Sequence, residues 1–186
     1  MTAFAVLAAM AAIPAHAQMN KMSATDRMFV MKVAQGNMAE VMSSRLALKK
    51  SKDEKVRMIA EMLIKEHGQA QADLKSTAKT LKYKLPASTD AKHKAMYRKL
   101  SRLSGMTFDK AYMMGQVGDH YATIALFKKE LENGSDSNIR NFAAKYQPGI
   151  ENHTKMITST AGRFGIPVAK EGEGMAMSAM KPSRGR

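Results

Sequence analysis

Three histidines, His67, His120 and His153, fall on the apolar stripes of three different predicted long helices, each near the middle of its helix. Neutral imidazole is the commonest metal ligand among side chains. Three such rings at one height between helices could hold Zn²⁺, Cu²⁺ or Ni²⁺, with Glu40 or water as a further ligand. Asp119, beside His120, is a candidate to orient a ring from outside. The competing expectation is structural: three neutral rings hydrogen-bonded to one another, to Glu40, to Tyr112 or Tyr121, or to trapped water.

Other chemistry is poorly supported. A ferritin-type di-iron centre uses two Glu-x-x-His motifs, because residues three apart share a helix face. The chain has neither: Glu151 and His153 stand two apart, which turns them about 160° from each other around a helix. No nucleophile, phosphate loop or paired-carboxylate arrangement emerges, so no catalytic role is expected. Met175-x-Met177-x-x-Met180, near the C-terminus, resembles a thioether site for Cu(I) or Ag(I).

The elements that must position the histidines read as helices throughout; strand and hairpin signals are scarce. Thr25 or Asp26 is expected to cap a first helix reaching about Ser51, with Gly36 inside it permitting close packing. Its main stripe is Val30, Ala34, Met38 and Val41, which leaves Glu40 at the edge. Asp53 and Glu54 open a second helix that Pro86 should stop near Leu85. Val56, Ala60, Leu63, His67, Ala70, Leu74, Thr77 and Leu81 form its seam. A short basic helix over Ser88 to Ser104 follows, ended by Gly105, with Thr107 capping the next. That third long helix carries Met113, Val117, His120, Ile124, Phe127 and Leu131 to about Glu132. The last carries Ile139, Phe142, Tyr146, Ile150, His153, Ile157, Thr160 and Phe164, with its stripe slipping by one residue at Pro148.

Four long amphipathic helices and one short connector predict an all-α, ferritin-like four-helix bundle, with the connector between the second and third long helices. If the connector crosses from one end to the other, Glu40, His67, His120 and His153 fall within roughly 6 Å of one depth at 1.5 Å rise per residue.

Composition places the chain. An apolar run from Ala3 to Ile13, Pro14, and Ala15-His16-Ala17 read as a signal peptide over 1–17, cleaved before Gln18, with export to the periplasm expected. An extension over 18–24, the bundle over 25–165 and a disordered tail over 166–186 complete the organisation. There is no cysteine, which excludes disulfides and thiolate sites. The net charge of +14 points to anionic envelope surfaces, lipid headgroups or lipopolysaccharide, as partners, with Lys92, Lys94, Arg98, Lys99 and Arg102 of the connector as the contact. Nucleic acid is not an expected partner outside the cytoplasm, and no later stretch is apolar enough to span a membrane.

Several short motifs stand in a telling order. They are Asp26-Arg27-Met28-Phe29, Gly36 followed by Met38-Ala39-Glu40-Val41, Glu66-His67, Phe108-Asp109-Lys110-Ala111-Tyr112, Asp119-His120, and Pro148 followed by His153. Together, from roughly Thr25 to Gly165, they resemble the bacterial domain-of-unknown-function 4142 family. The resemblance implies a ferritin-like helical fold and export, and no settled biochemical activity. Two positions depart from the family pattern: Glu66 stands where the family has aspartate, and its paired glycines in the first helix become Gly36-Asn37.

Overall fold

The structure is a computed structural model that describes residues 22–168. The expected signal peptide over 1–17, most of the expected extension and the tail methionines lie outside the described residues. Five helices and no strand are present among those described.

Local chemistry sets each boundary. Ser23, not Thr25 or Asp26, caps α1 (Ala24–Lys50). Its hydroxyl accepts from Asp26 N at 3.1 Å and the Asp26 carboxylate accepts from Ser23 N at 2.6 Å, a reciprocal capping box. Asp53 caps α2 (Glu54–Thr80) as expected. That helix stops short of Leu85 because Lys82 turns left-handed at φ 53°, with Tyr83 N–H donating to Ala78 O and Lys82 N–H to Lys79 O. This is a Schellman ending with lysine in the usual glycine position, so the stop precedes Pro86. α3 (Ala91–Ser101), capped by Asp90, is shorter than the expected 88–104. Gly105, at φ 54°, opens α4 (Gly105–Asn133), and Thr107 lies inside it rather than capping it. Asp136 caps α5 (Ser137–Gly162), which continues through Pro148.

The short links 51–53 and 134–136 make two antiparallel helix pairs, α1 with α2 and α4 with α5. The pairs meet through α1 against α4 and α2 against α5, while α3 lies over α1 and α4. The connector crosses between ends. Lys50 Nζ donates to Leu103 O at 2.7 Å, joining the start of α4 to the α1–α2 link, and Arg163 reaches Asp53 at the same end. At the opposite end Asp26 meets the α4–α5 link.

Val30 and Ala34 of the expected α1 stripe are buried, but the inward face is wider than that stripe and turned toward its other side. Phe29, Val33, Asn37, Glu40 and Ser44 are buried, whereas Met38 and Val41 are half-buried, so Glu40 faces inward. Gly36 does not mark close packing: a β-carbon there would meet nothing within 4 Å. The apolar core forms two clusters. One, around Leu63, Phe108, Tyr112 and Ile157, lies toward the α1–α2 link; the other, around Phe29, Leu74, Phe127 and Phe142, lies toward the α4–α5 link. The three histidines fall between them along every helix that carries one.

Asp26 fastens the far end. Fully buried, its carboxylate accepts from Ser135 N (2.9 Å), Ser135 Oγ (2.6 Å) and Asp136 N (3.3 Å) as well as Ser23 N. Those donors hold its pKa far below the usual carboxylate value despite burial. Hydrogen bonds to a charged group contribute roughly 1.5–3 kcal/mol each, and removing the acceptor strands buried donors. Asp26→Ala is therefore expected to cost at least about 3 kcal/mol in urea unfolding, against about 1 kcal/mol for the simple cap loss Asp53→Ala.

Candidate metal centre

His67 on α2, His120 on α4 and His153 on α5 are each at most 4 % exposed. Their ring centroids stand 5.6, 5.4 and 5.7 Å apart, taken pairwise. One ring nitrogen of each lies within 4.8 Å of one from both others. The depth matching read from the sequence thus produces a true cluster.

Each ring has one nitrogen engaged by an acceptor outside the cluster. His67 Nδ1–H donates to Asn37 Oδ1 at 2.9 Å, His120 Nδ1–H to Gln116 O at 3.0 Å, and His153 Nε2–H to the Glu66 carboxylate at 2.8 Å. Those acceptors fix the tautomers. The remaining nitrogens, His67 Nε2, His120 Nε2 and His153 Nδ1, are buried and have no partner among the protein's own groups. No hydrogen bond joins one of these rings to another, so the expected ring-to-ring network is not formed. Tyr112 does not supply it either, since its hydroxyl pairs with Ser44 Oγ at 2.8 Å.

Burial, and then the proximity of His120 and His153, hold the His67 pKa well below its ordinary value. Burial, followed by His153, pushes His120 down to about 4. Both rings are thus neutral at neutral pH, the state that can ligate a metal.

Glu40 is buried, yet the structure does not bring it into the cluster. Its Oε1 lies 4.0 Å from His120 Nδ1, the outward nitrogen that Gln116 O already occupies. Burial, and secondarily the charge of Asp119, raise its pKa to about 8, so near neutrality it is a protonated carboxyl and a poor ligand. Asp119 also faces elsewhere, pairing with Lys92 Nζ at 2.8 Å and His93 Nε2 at 3.6 Å on α3. The outer partners that the sequence reading missed are Asn37 and Glu66. Both are positions that depart from the family pattern, and each pairs with a cluster histidine.

The sequence profile of the DUF4142 family, described as a domain of unknown function, matches residues 11–160. The chain belongs to the DUF4142 family. No curated protein matches it. Among solved structures, it is similar to a DUF305 fragment from Deinococcus radiodurans, at 13% identity and a TM-score of 0.68 over 76% of this chain and 98% of that one. A DUF305 protein from Streptomyces coelicolor is similar at 14% identity and a TM-score of 0.66, over 78% and 97%. At these identities the likeness establishes a shared helical fold.

The depressed His120 pKa makes the metal-free protein acid-sensitive. Its neutral form is favoured in the folded state, so that stability is present above the unfolded pKa of 6.5 and is lost as pH falls through about 4. At pH 5 the loss from this one ring is about 2 kcal/mol. Thermal melts at pH 7 and pH 5 check it: His120→Gln should lose distinctly less stability on acidification than the native protein.

Proposed function

We propose that this DUF4142 protein is an exported, ferritin-like four-helix bundle that binds one divalent transition ion, Zn²⁺, Cu²⁺ or Ni²⁺, through His67, His120 and His153. The observation that carries this reading is the pairing pattern. Three outward N–H groups are held by fixed acceptors, and three inner nitrogens are buried, unpartnered and close together. Ligating histidines are held in this way, with the second nitrogen donating to a carbonyl or carboxylate. A purely structural histidine gains nothing from a stranded lone pair, which costs roughly 1–3 kcal/mol when buried. A four-coordinate ion with Zn–N near 2.0–2.1 Å sets its ligand nitrogens about 3.3 Å apart, so the rings draw inward on binding. Water completes the set more readily than Glu40, which lies behind His120. Export is supported by the Ala15-His16-Ala17 leader pattern, and the bundle by the cyclic packing of four long helices.

The purified mature protein is expected to hold one ion per chain. At a ligand concentration 100-fold above Kd, the added stability of about 2.7 kcal/mol raises Tm by roughly 5–10 °C. His67→Ala should abolish stoichiometric uptake, and Asn37→Ala should weaken affinity by about 10–100-fold while leaving all three ligands in place. Elemental analysis and calorimetric titration check both. Absence of bound metal together with a Tm unmoved by Zn²⁺, Cu²⁺ and Ni²⁺ would overturn the reading.

A second reading rests on α3. Lys94, Arg98, Lys99 and Arg102 are exposed and form no ion pair among the described residues, and Leu100 is the one fully buried side chain of that helix. This outward basic face supports binding to anionic lipid headgroups or lipopolysaccharide. Each basic residue near such a surface contributes about 1 kcal/mol. Reversing Lys94, Arg98 and Lys99 to glutamate is expected to weaken binding to phosphatidylglycerol vesicles by about a hundredfold or more. Indifference to those changes, or to salt, would exclude it.

A further inference from the structure

The corner where α3 turns into α4 carries charge of one sign. Between Ala91 and Gly118 the sole acidic residue is Asp109, which is buried, whereas Lys92, Lys94, Arg98, Lys99, Arg102 and Lys110 are exposed. Lys99, Arg102 and Lys110 form no ion pair among the described residues. An apolar hollow of about 490 Å³ lies at this corner. Met96 of α3, Leu103 of the turn, and Met106, Ala111 and Met114 of α4 line it, with Lys99 and Lys110 among them. Met106 is 78 % exposed, the most of any large hydrophobic side chain among the described residues, and Met114 is 48 % exposed. Together with Lys110 these two stand four apart along one outer face of α4. A single exposed methionine is ordinary; several from two helices gathered on one surface mark an interaction site.

We propose that this corner inserts into an anionic phospholipid bilayer, Met106, Met114 and Leu103 entering the boundary between headgroups and acyl chains while Lys99, Arg102 and Lys110 meet the lipid phosphates. It rests on the anionic-lipid reading of α3 and adds to it an apolar contact and an orientation. Basic side chains alone hold a protein at such a surface and release it as salt rises. Buried apolar area adds a contribution that salt does not screen. Methionine suits the task, being unbranched and able to fit an irregular surface. Lysine and arginine can lay their stems along the same apolar ground and keep their charges at phosphate height. A field of one sign spread over two helices matches an extended anionic surface, whereas a folded partner would need an equally one-signed acidic patch. Leu103 O accepts from Lys50 Nζ, which sets the corner at the α1–α2 end of the bundle. Insertion there leaves the mid-bundle histidine layer outside the lipid.

The chain has no tryptophan, so a single one placed at the corner reports on that corner alone. Purified Met106→Trp is mixed with phosphatidylglycerol vesicles, and Met28→Trp, at a 45 % exposed position toward the opposite end of the bundle, is the control. The Met106→Trp emission should shift to the blue and be quenched by lipids brominated on their acyl chains, and the Met28→Trp emission should do neither. Met106→Asp keeps every cation and, at so exposed a position, the fold. It should bind the vesicles about tenfold or more weakly than the native protein, through loss of one buried methionine. Native protein that binds while the Met106→Trp emission stays unmoved would overturn insertion and leave electrostatic adsorption by α3 standing. Absence of any vesicle binding would remove the lipid reading, and this inference with it. A dimer in sedimentation velocity that Met106→Asp dissolves would also overturn it, by giving the corner to a second copy of the chain.

Discussion

A neutral imidazole carries one proton and one lone pair, and the way these are spent governs the middle of this molecule. His67, His120 and His153 all give their proton to acceptors on the outer side, Asn37, Gln116 O and Glu66. Three lone pairs are then left facing a common space in the interior. Nothing in the surrounding protein donates to them. The arrangement divides the apolar core into two clusters, which a continuous layer of leucine would have joined at lower cost. A cation is the natural complement of converging lone pairs, and each outer acceptor increases the basicity of the nitrogen opposite.

The fold exists around that layer in a definite sense. The α1–α2 pair brings Asn37 to His67, and the contact of α2 with α5 brings Glu66 to His153. His120 is held by the preceding turn of its own helix. Each ring is thus oriented by a different packing relationship, so the geometry of the histidine layer depends on the packing of the helices around it. The crossing connector makes this geometry possible. It returns the chain to the end where α1 and α2 join, so that α4 starts there and places His120 level with His67. Asp26 closes the opposite end by tying α1 to the α4–α5 link.

Much of this was legible in the sequence because helical periodicity and burial coincide. The seams of α2, α4 and α5 named the histidines, and Asp53 marked the start of α2. What escaped had physical causes. The stop at Thr80 depends on lysine adopting a left-handed conformation, a position where glycine is the readable signal. The buried face of α1 was read only in part: Val30 and Ala34 are buried as expected, but its other inward positions include Asn37, Glu40 and Ser44, and hydrophobicity points away from them. Asn37 and Glu66 looked like family departures with no consequence. Only the third dimension shows that each meets a ring nitrogen. The open space beside Gly36 is likewise invisible to a sequence rule that associates helical glycine with close packing.

The central claim concerns tautomers, and nitrogen-15 NMR of the imidazole rings measures them directly. In the metal-free protein at neutral pH, His67 and His120 should be protonated at Nδ1 and His153 at Nε2. On adding Zn²⁺ the three unprotonated nitrogens, and not the protonated ones, should shift as ligands. An inward-facing proton on any of the three rings, or rings averaging rapidly between tautomers, would contradict the account.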